Sequence, residues 1–466
     1  MQLAKIRIKN YRLLVDAELE VDPKTTLIVG RNNTAKTSCF ECIGKVLDGT
    51  QFSFNDYPLL KRENLYTDFA SFMAKEITFE DLCERLEPIS IEFLVDYSLD
   101  APEDNLGALS PFIIDVDVDT TTALIRAEYK LKADEKSIWK ILEPSYYVNG
   151  IFSPDDDVHN AMHPQMQHAF AEYLEAFLAK ITSIGIQTLL TSHSAHIANT
   201  MVFSKIRYAQ KTKTGVIYKN LNTFAEENSS NIDFIRKYLT ITKCDLFFAD
   251  KAIFVEGALE RLLLPDMIDK CAKAGNFDSQ EYKLPAQYYA LVEIGGAYAY
   301  KFIPFAEFLG IPCLILTDLD SVSGQKGANG RIYYSSVPVS RGEITSNETL
   351  KWWVRKKKEI PEDDNTQIAL TDITSMSPAD KTRCRCHIEF QTTENGLCGH
   401  SLEEAIRNVN RTYYGLGDTP TEDDLEFPGK KKTDFALNLI CECEDYAVPA
   451  YIKNGLVWLN DQQVLV

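Results

Sequence analysis

Two apolar runs in the second half of the chain each end in acid. Residues 253–255 lead to Glu256, with Gly257 next and Glu260 close behind, and residues 314–316 lead through Thr317 to Asp318 and Asp320. Short apolar runs stopped by Gly or acid suit buried parallel strands, whose carboxyl ends present side chains into a shared crevice. Carboxylates gathered there are the hard oxygen ligands that Mg²⁺ and Mn²⁺ prefer. Two such ions can clamp the attacking and leaving oxygens of a phosphodiester, so phosphoryl chemistry is the reaction class these residues suit.

Either motif alone is more often a solvated strand end or turn; their order and setting say more. Both close apolar runs, a helical stretch (259–268) follows the first, and Gly295-Gly296 ends an apolar run between them. In that order, Glu256-Gly257-x-x-Glu260 and Asp318-x-Asp320 resemble the Toprim catalytic domain of topoisomerases, primases and nucleases of the OLD (overcoming lysogenization defect) family. Phe390-Gln391, then Gly399-His400-Ser401-Leu402-Glu403-Glu404, resembles the late acidic motif of the OLD nucleases. Ser401 and Glu404 also read as a Ser-x-x-Glu capping box, which leaves Glu403 for metal and Glu404 for the cap. Lys430-Lys431-Lys432 resembles the segment that places a basic residue at the active site; the choice among the three is open, with Lys432 favoured. The resemblance implies a two-metal site in which Glu256 holds one ion and assists proton transfer. Asp318 and Asp320 hold the other with help from Glu260 and Glu403, and Lys432 offsets transition-state charge or protonates the leaving oxygen.

The amino-terminal half carries a second phosphate motif. Leu27-Ile28-Val29-Gly30 is a short strand leading into Arg31-Asn32-Asn33-Thr34-Ala35-Lys36-Thr37-Ser38 and a helix through Val46, the order of a P-loop. Backbone amides at the helix N-terminus cradle phosphates, Lys36 reaches the outer ones, and Thr37 ligates Mg²⁺. Gly30, Asn33, Lys36, Thr37 and Ser38 are the candidate ATP contacts. Ala35 stands where Gly is favoured, and its Cβ weakens a turn with φ > 0. With strands at 4–8 and 17–21 before it, the segment resembles the ATPase head of the RecF, SMC and OLD group. Thr188-Leu-Leu-Thr-Ser192-His193-Ser194 resembles the switch-histidine segment of those heads, which implies that His193 senses the γ-phosphate. Asp155-Asp-Asp157 with His163-Pro164-Gln165 resembles the end of a Walker B segment, but no apolar strand precedes the acids and no Leu-Ser-Gly-Gly signature occurs. Either the head is degenerate or a segment is absent near 146–155.

The expected architecture is therefore α/β: a P-loop ABC-type ATPase head over 1–242, then a Toprim domain with a Rossmann-like parallel sheet over 243–466. Residues 65–86 and 169–181 read as amphipathic helices, 89–97 and 124–131 as strands, and 231–239 as the last helix before the join. At 466 residues, 45% hydrophobic and 25% charged, the chain has the composition of a globular protein of two or three domains. No apolar run approaches the roughly twenty residues of a membrane span. The start alternates apolar and basic residues and lacks the apolar core of a signal peptide, which points to the cytoplasm.

Eleven Cys in that setting read as reduced thiols. Cys384-x-Cys386-His387, Cys398-x-His400 and Cys441-x-Cys443 fit no Cys-x₂-Cys zinc spacing and read as structural. The net charge of −19 sits poorly with phosphate binding, although metal would offset the acids and Arg355-Lys-Lys-Lys358 and Lys430-Lys-Lys432 concentrate positive charge. The OLD resemblance implies Mg²⁺- or Mn²⁺-dependent cleavage of DNA, ATP as regulator, and a homodimer or higher oligomer. It further implies phage defence beside a helicase or a retron reverse transcriptase with its RNA–DNA product. The competing readings are a non-catalytic, nucleotide-gated SMC-like scaffold and a topoisomerase- or primase-like Toprim enzyme.

Overall fold

Strand β1 (Gln2–Tyr11) buries Ile6 and Ile8 while Lys5, Arg7 and Lys9 line its other face, and it pairs antiparallel with β2 (Leu14–Glu20), where Leu14, Ala17 and Leu19 are buried. That period of two lays one apolar face onto a core. The next strand, β3 (Thr25–Val29), is buried throughout and leads through the loop at 30–35 into helix α1 (Lys36–Leu47). Helices α2 (Leu59–Met73) and α3 (Phe79–Arg85) follow, then β4 (Ile89–Asp96) and β5 (Thr122–Tyr129), which complete an antiparallel sheet of order β2-β1-β4-β5. A second sheet, of order β6-β3-β7-β8, contains β6 (Thr188–Thr191), β7 (Ile206–Thr212) and β8 (Gly215–Asn220). There β3 is parallel to both β6 and β7, and β8 is antiparallel to β7. Ile6, Ile8, Leu14, Leu19, Ile28, Cys39, Cys42 and Ile91 form one core linking the two sheets and α1. Short helices α4 (Ala195–Thr200) and α5 (Leu221–Glu227) complete the region.

The single helix expected over 65–86 is two. Lys75 takes a left-handed φ of 60°, which ends α2, and the Thr78 side chain accepts from Asp81 N at 3.1 Å while Asp81 Oδ2 accepts from Thr78 N at 2.9 Å. This reciprocal cap starts α3 afresh, and Phe72 and Leu82 pack across the break.

This computed structural model describes residues 2–50, 52–98, 121–129, 187–228, 235, 237, 239, 241–279, 283–294, 298–326, 331–361, 364–428, 431–443 and 445–464. The Walker B-like acids 155–157, His163-Pro164-Gln165, the stretch 146–155 where the head is either degenerate or short of a segment, the helix expected at 169–181, most of 231–239, Gly295-Gly296 and Lys430 lie outside the described residues. The chain divides into two compact units, Met1–Glu227 and Asn228–Val464.

In the second unit, β9 (Lys251–Val255) precedes helix α6 (Ala258–Lys273), β10 (Tyr289–Glu293), helix α7 (Ile303–Leu309) and β11 (Cys313–Leu316). A small antiparallel sheet follows, of order β13-β12-β14, built from β12 (Ser321–Lys326), β13 (Ile332–Ser336) and β14 (Ile344–Thr345). Helices α8 (Glu348–Lys357) and α9 (Leu370–Thr374) lead to β15 (Thr382–Arg383) and β16 (Cys386–Glu389). Helices α10 (Leu402–Val409), α11 (Lys432–Glu442) and α12 (Ala450–Asp461) end the unit.

The main sheet runs β10-β9-β11-β16-β15; its first four strands are parallel, and β9, β11 and β16 are buried at every residue. Ile253, Val255 and Leu314 pack with Leu263, Met267, Ile406, Leu439 and Leu456 from helices α6, α10, α11 and α12. Phe254 points the opposite way and meets the Phe302 ring edge-on at 6.1 Å. Helix cover on both faces is what makes these strands read as unbroken apolar runs. The exception, Lys251, is fully buried and donates to the Leu459 and Asn460 carbonyls (2.6 and 2.9 Å) at the end of α12, with burial lowering its pKa to about 8. The carbonyl-rich helix C-terminus compensates this charge.

Gly30 has φ +151°, and a Cβ there would lie 2.5 Å from the Ala209 carbonyl oxygen of β7; a Cβ on Gly44 of α1 would meet nothing within 4 Å. Gly30→Ala should therefore destabilise the chain by about 1–3 kcal/mol in urea unfolding. Gly44→Ala should be neutral or stabilise by up to about 1 kcal/mol.

Candidate metal centre

The parallel strands end on one edge of the sheet, and their next residues form a single hydrogen-bonded cluster. Glu256 follows β9, and its Oε1 accepts from Asp318 N (3.1 Å), from Asn347 Nδ2 (2.9 Å) and from the Thr317 hydroxyl. Asp318 follows β11, and its Oδ1 accepts from Gln391 Nε2 at 2.5 Å, while Gln391, just past β16, accepts from Leu319 N at 2.8 Å. Asp320 is left-handed (φ 44°), a conformation Asp tolerates better than most residues. It is pinned by Asp320 N to His400 O (3.2 Å) and by Ser346 N to Asp320 O (2.9 Å). Glu260, in the first turn of α6, accepts from Gly257 N at 3.1 Å. Glu403, in the first turn of α10, is 2% exposed, and Lys432, the first residue of α11, brings Nζ to 2.8 Å from Glu403 Oε1.

Asn347 joins these parts. Its Nδ2 reaches Glu256, the Thr317 hydroxyl (2.7 Å), the Asp318 carbonyl (3.0 Å) and Asp320 Oδ2 (3.4 Å), while its Oδ1 caps α8 by accepting from Thr349 N and Leu350 N. Asn347 and Thr317 received no role from the sequence. The only signal was an Asn ahead of a helical stretch, which reads as an ordinary N-cap.

Glu404 departs from the expected capping box. Ser401 Oγ accepts from Glu404 N at 3.4 Å, but the Glu404 carboxylate turns to His400, accepting from its backbone N (2.9 Å) and meeting Nδ1 at 2.8 Å. The hydrogen bond to Glu404, with the acids around it, raises the His400 pKa despite burial. Among the cysteines weighed above, Cys386 is buried on β16 beside Cys313 of β11, Cys398 is also buried, and Cys384 and Cys441 are exposed.

Burial first, then the neighbouring carboxylates, pushes Asp318 well above the usual carboxylate range. Burial raises Glu260 to about 7, with Glu256 and Glu403 adding repulsion that Lys432 partly offsets, and raises Asp320 to about 6 with Glu256 adding to it. Both Glu403 oxygens are buried without an aligned hydrogen-bond donor, even with Lys432 at ion-pair distance. Excess buried negative charge and unsatisfied carboxylate oxygens fit a hard divalent cation, with Glu256, Glu260, Asp318, Asp320 and Glu403 as the available donors. Among the described residues no three such side chains are already gathered to the spacing of a coordination shell.

In the first unit, Asn33 and Ala35 are left-handed (φ 59° and 54°), and Lys36 is folded back onto its own loop. Lys36 Nζ donates to Gly30 O (2.7 Å), Arg31 O (2.5 Å) and Thr34 Oγ1 (3.1 Å), and burial lowers its pKa to about 8. Thr37 is exposed and Ser38 half-buried at the start of α1. His193 is exposed just past β6, the parallel neighbour of β3, where Ser192 N donates to Ile28 O at 3.2 Å.

Residues 1–146 match the family model of an AAA ATPase domain, and residues 247–320 match that of the Toprim domain of overcoming lysogenization defect protein-like proteins. Fold and matches together define a P-loop ATPase–Toprim protein. Within that class the matched Toprim segment is similar to the overcoming lysogenization defect protein-like type. Among curated proteins it is 26% identical over 333 residues to endonuclease GajA of Bacillus cereus (strain HuB5-5), covering 64% of this chain and 47% of that relative. The chain thus spans about half the length of the curated relative it matches.

Carboxyls whose folded pKa is raised favour the protonated folded state, so the metal-free protein should lose stability as pH rises from the ordinary carboxylate range through about 7. In EDTA the melting temperature should fall between about pH 5 and pH 8, and divalent metal should restore it most at the upper end. Glu260→Gln should flatten the EDTA profile; an unchanged slope would show that Glu260 carries none of it. Asn347→Ala should cost about 1–3 kcal/mol in denaturant unfolding, since it removes a helix cap and leaves buried acceptors unpaired.

Proposed function

We propose that this chain is a Mg²⁺- or Mn²⁺-dependent endodeoxyribonuclease of the OLD type, controlled by ATP at its amino-terminal unit. The observation that supports it most is the meeting of Glu256, Asp318 and Asp320 at the ends of adjacent parallel strands, with Glu403 buried beside them and paired with Lys432. Bound divalent ions would supply Lewis-acid stabilisation of the phosphoryl oxygens and a nucleophilic water. The chain's own groups position and neutralise. Asn347 and Gln391 fix the orientation of the strand-end acids, and Glu256 assists proton transfer. Lys432, paired with Glu403 and held protonated despite partial burial, offsets developing charge or gives its proton to the leaving oxygen.

We assign 1–242 to the ATPase domain and 243–466 to the Toprim domain, with His193 as the γ-phosphate sensor. Gly30, Asn33, Lys36, Thr37 and Ser38 serve as the phosphate cradle. Lys36 must leave the carbonyls of its own loop before it meets phosphate, which favours ATP as a regulator over ATP as rapid fuel. A homodimer acting in phage defence beside a helicase or retron partner completes the proposal. A nucleotide-gated scaffold without cleavage is the second reading, and that same self-bound Lys36 with its left-handed Ala35 is what favours it.

Purified chain with Mn²⁺ or Mg²⁺ should nick plasmid or cut single-stranded DNA, lose the activity in EDTA, and lose about 100-fold or more in Asp318→Ala. Intact DNA under all metal conditions, or an Asp318→Ala protein that cleaves like the parent, would favour the scaffold.

A further inference from the structure

The β12–β13 ribbon leaves the proposed active site directly. Its first strand begins at Ser321, one residue after Asp320, and its second ends at Ser336, whose Oγ lies 3.0 Å from His400 Nε2, on the same His that meets Glu404. β13 is the edge strand of its sheet, and all five of its residues are exposed. Ile332, Tyr333 and Tyr334 stand consecutively at 58%, 55% and 47% exposure, an unusual run for a surface that would otherwise be polar.

The faces are ordered by the register. Gly324 lies opposite Tyr334, and a Cβ there would come within 2.9 Å of Ile332 Cγ2 and 3.1 Å of Tyr334 Cε1, so the missing side chain lets Ile332 and Tyr334 lie across β12. Tyr333 projects to the other face, opposite Gln325. Gln367 donates to the Tyr334 hydroxyl at 2.8 Å, which steadies that ring beside a cleft of about 400 Å³ that also includes Lys351 and Arg355. Charge singles out the same segment. From Ser321 to Gly342 the sequence has Lys326, Arg331 and Arg341 and no acid, in a chain whose net charge is −19. Acids from elsewhere meet the segment at its ends: Asp320 precedes it, Glu343 Oε2 accepts from Gly324 N at 3.4 Å, Glu422 accepts from Ser340 N at 3.1 Å, and Asp423 pairs with Arg341, which leaves Lys326 and Arg331 as the cations of the ribbon itself.

The geometry points to the β12–β13 ribbon as a DNA-docking element that stacks Tyr333 and Tyr334 against unpaired bases flanking the phosphate held at the carboxylate cluster. The inference rests on the nuclease reading for its substrate. Aromatic side chains beside a locally basic segment suit single-stranded DNA, because every base offers a π-face and the cations meet the backbone phosphates.

Fluorescence anisotropy with a labelled single-stranded oligonucleotide, using the full chain in EDTA, tests it. Tyr333→Ala and Tyr334→Ala should each weaken binding by about tenfold or more, while Tyr333→Phe keeps the ring and stays near the parent. Tyr413→Ala, an exposed ring elsewhere in the unit, should bind as the parent does. The Mn²⁺-induced rise in melting temperature should persist in the ribbon variants, which establishes an intact carboxylate site. Unchanged affinity in both Ala variants overturns the proposal, as does a change confined to self-association in sedimentation. A parent chain that binds DNA through these rings yet cleaves none would refute the nuclease reading and leave the ribbon standing.

Discussion

Several carboxylates in one crevice, with Lys432 set against them, is the constraint on which the second unit turns. Ionised together in a poorly solvated pocket they repel, and the raised pKa values of Asp318, Glu260 and Asp320 express that cost. The fold tolerates the cost because the rest of the unit is strongly cohesive: buried parallel strands, helices on both faces, and a Lys251 that ties the first strand to the last helix. On the proposed function, a divalent cation would relieve that repulsion. Perturbed carboxylates of this kind are common at functional sites because a site must give up stability to keep reactive groups in place.

Asn347 shows how such a cluster is organised. One primary amide donates toward Glu256, Thr317, the Asp318 carbonyl and Asp320, while its oxygen starts α8. Anchoring to a helix N-terminus makes it rigid, so the acids keep their orientation despite mutual repulsion. β12 follows Asp320 directly and extends the same logic outward, and β13 is placed relative to the acids by its pairing with β12 and by Ser336 against His400.

The first unit presents the opposite state. Its phosphate loop is built on a buried strand and a left-handed turn, but the lysine that should face phosphate satisfies its charge on the carbonyls of Gly30 and Arg31. On the proposed nucleotide role, phosphate would have to replace those bonds, with the loop keeping its strand–turn–helix form.

Much of this was legible in the chain itself. Apolar runs at 253–255 and 314–316 ending in acid gave the parallel strands and the carboxylate site, because a strand buried on both faces has no polar positions until it emerges. The P-loop was equally plain, since a phosphate loop needs its residues in immediate succession. Local signals misjudged the break at Lys75, where a left-handed residue and a fresh cap interrupt a continuous apolar pattern, and the Glu404 carboxylate, which chose His400 over its own helix end. The sequence determined which acids could meet, through residue type and periodicity along single elements. Only the tertiary structure decided that Asn347 and Gln391 hold them, that Lys432 pairs with Glu403, and that the exposed aromatic strand β13 pairs with the strand that follows Asp320. Those contacts join segments far apart in the chain, and their geometry exists only once the sheet has closed.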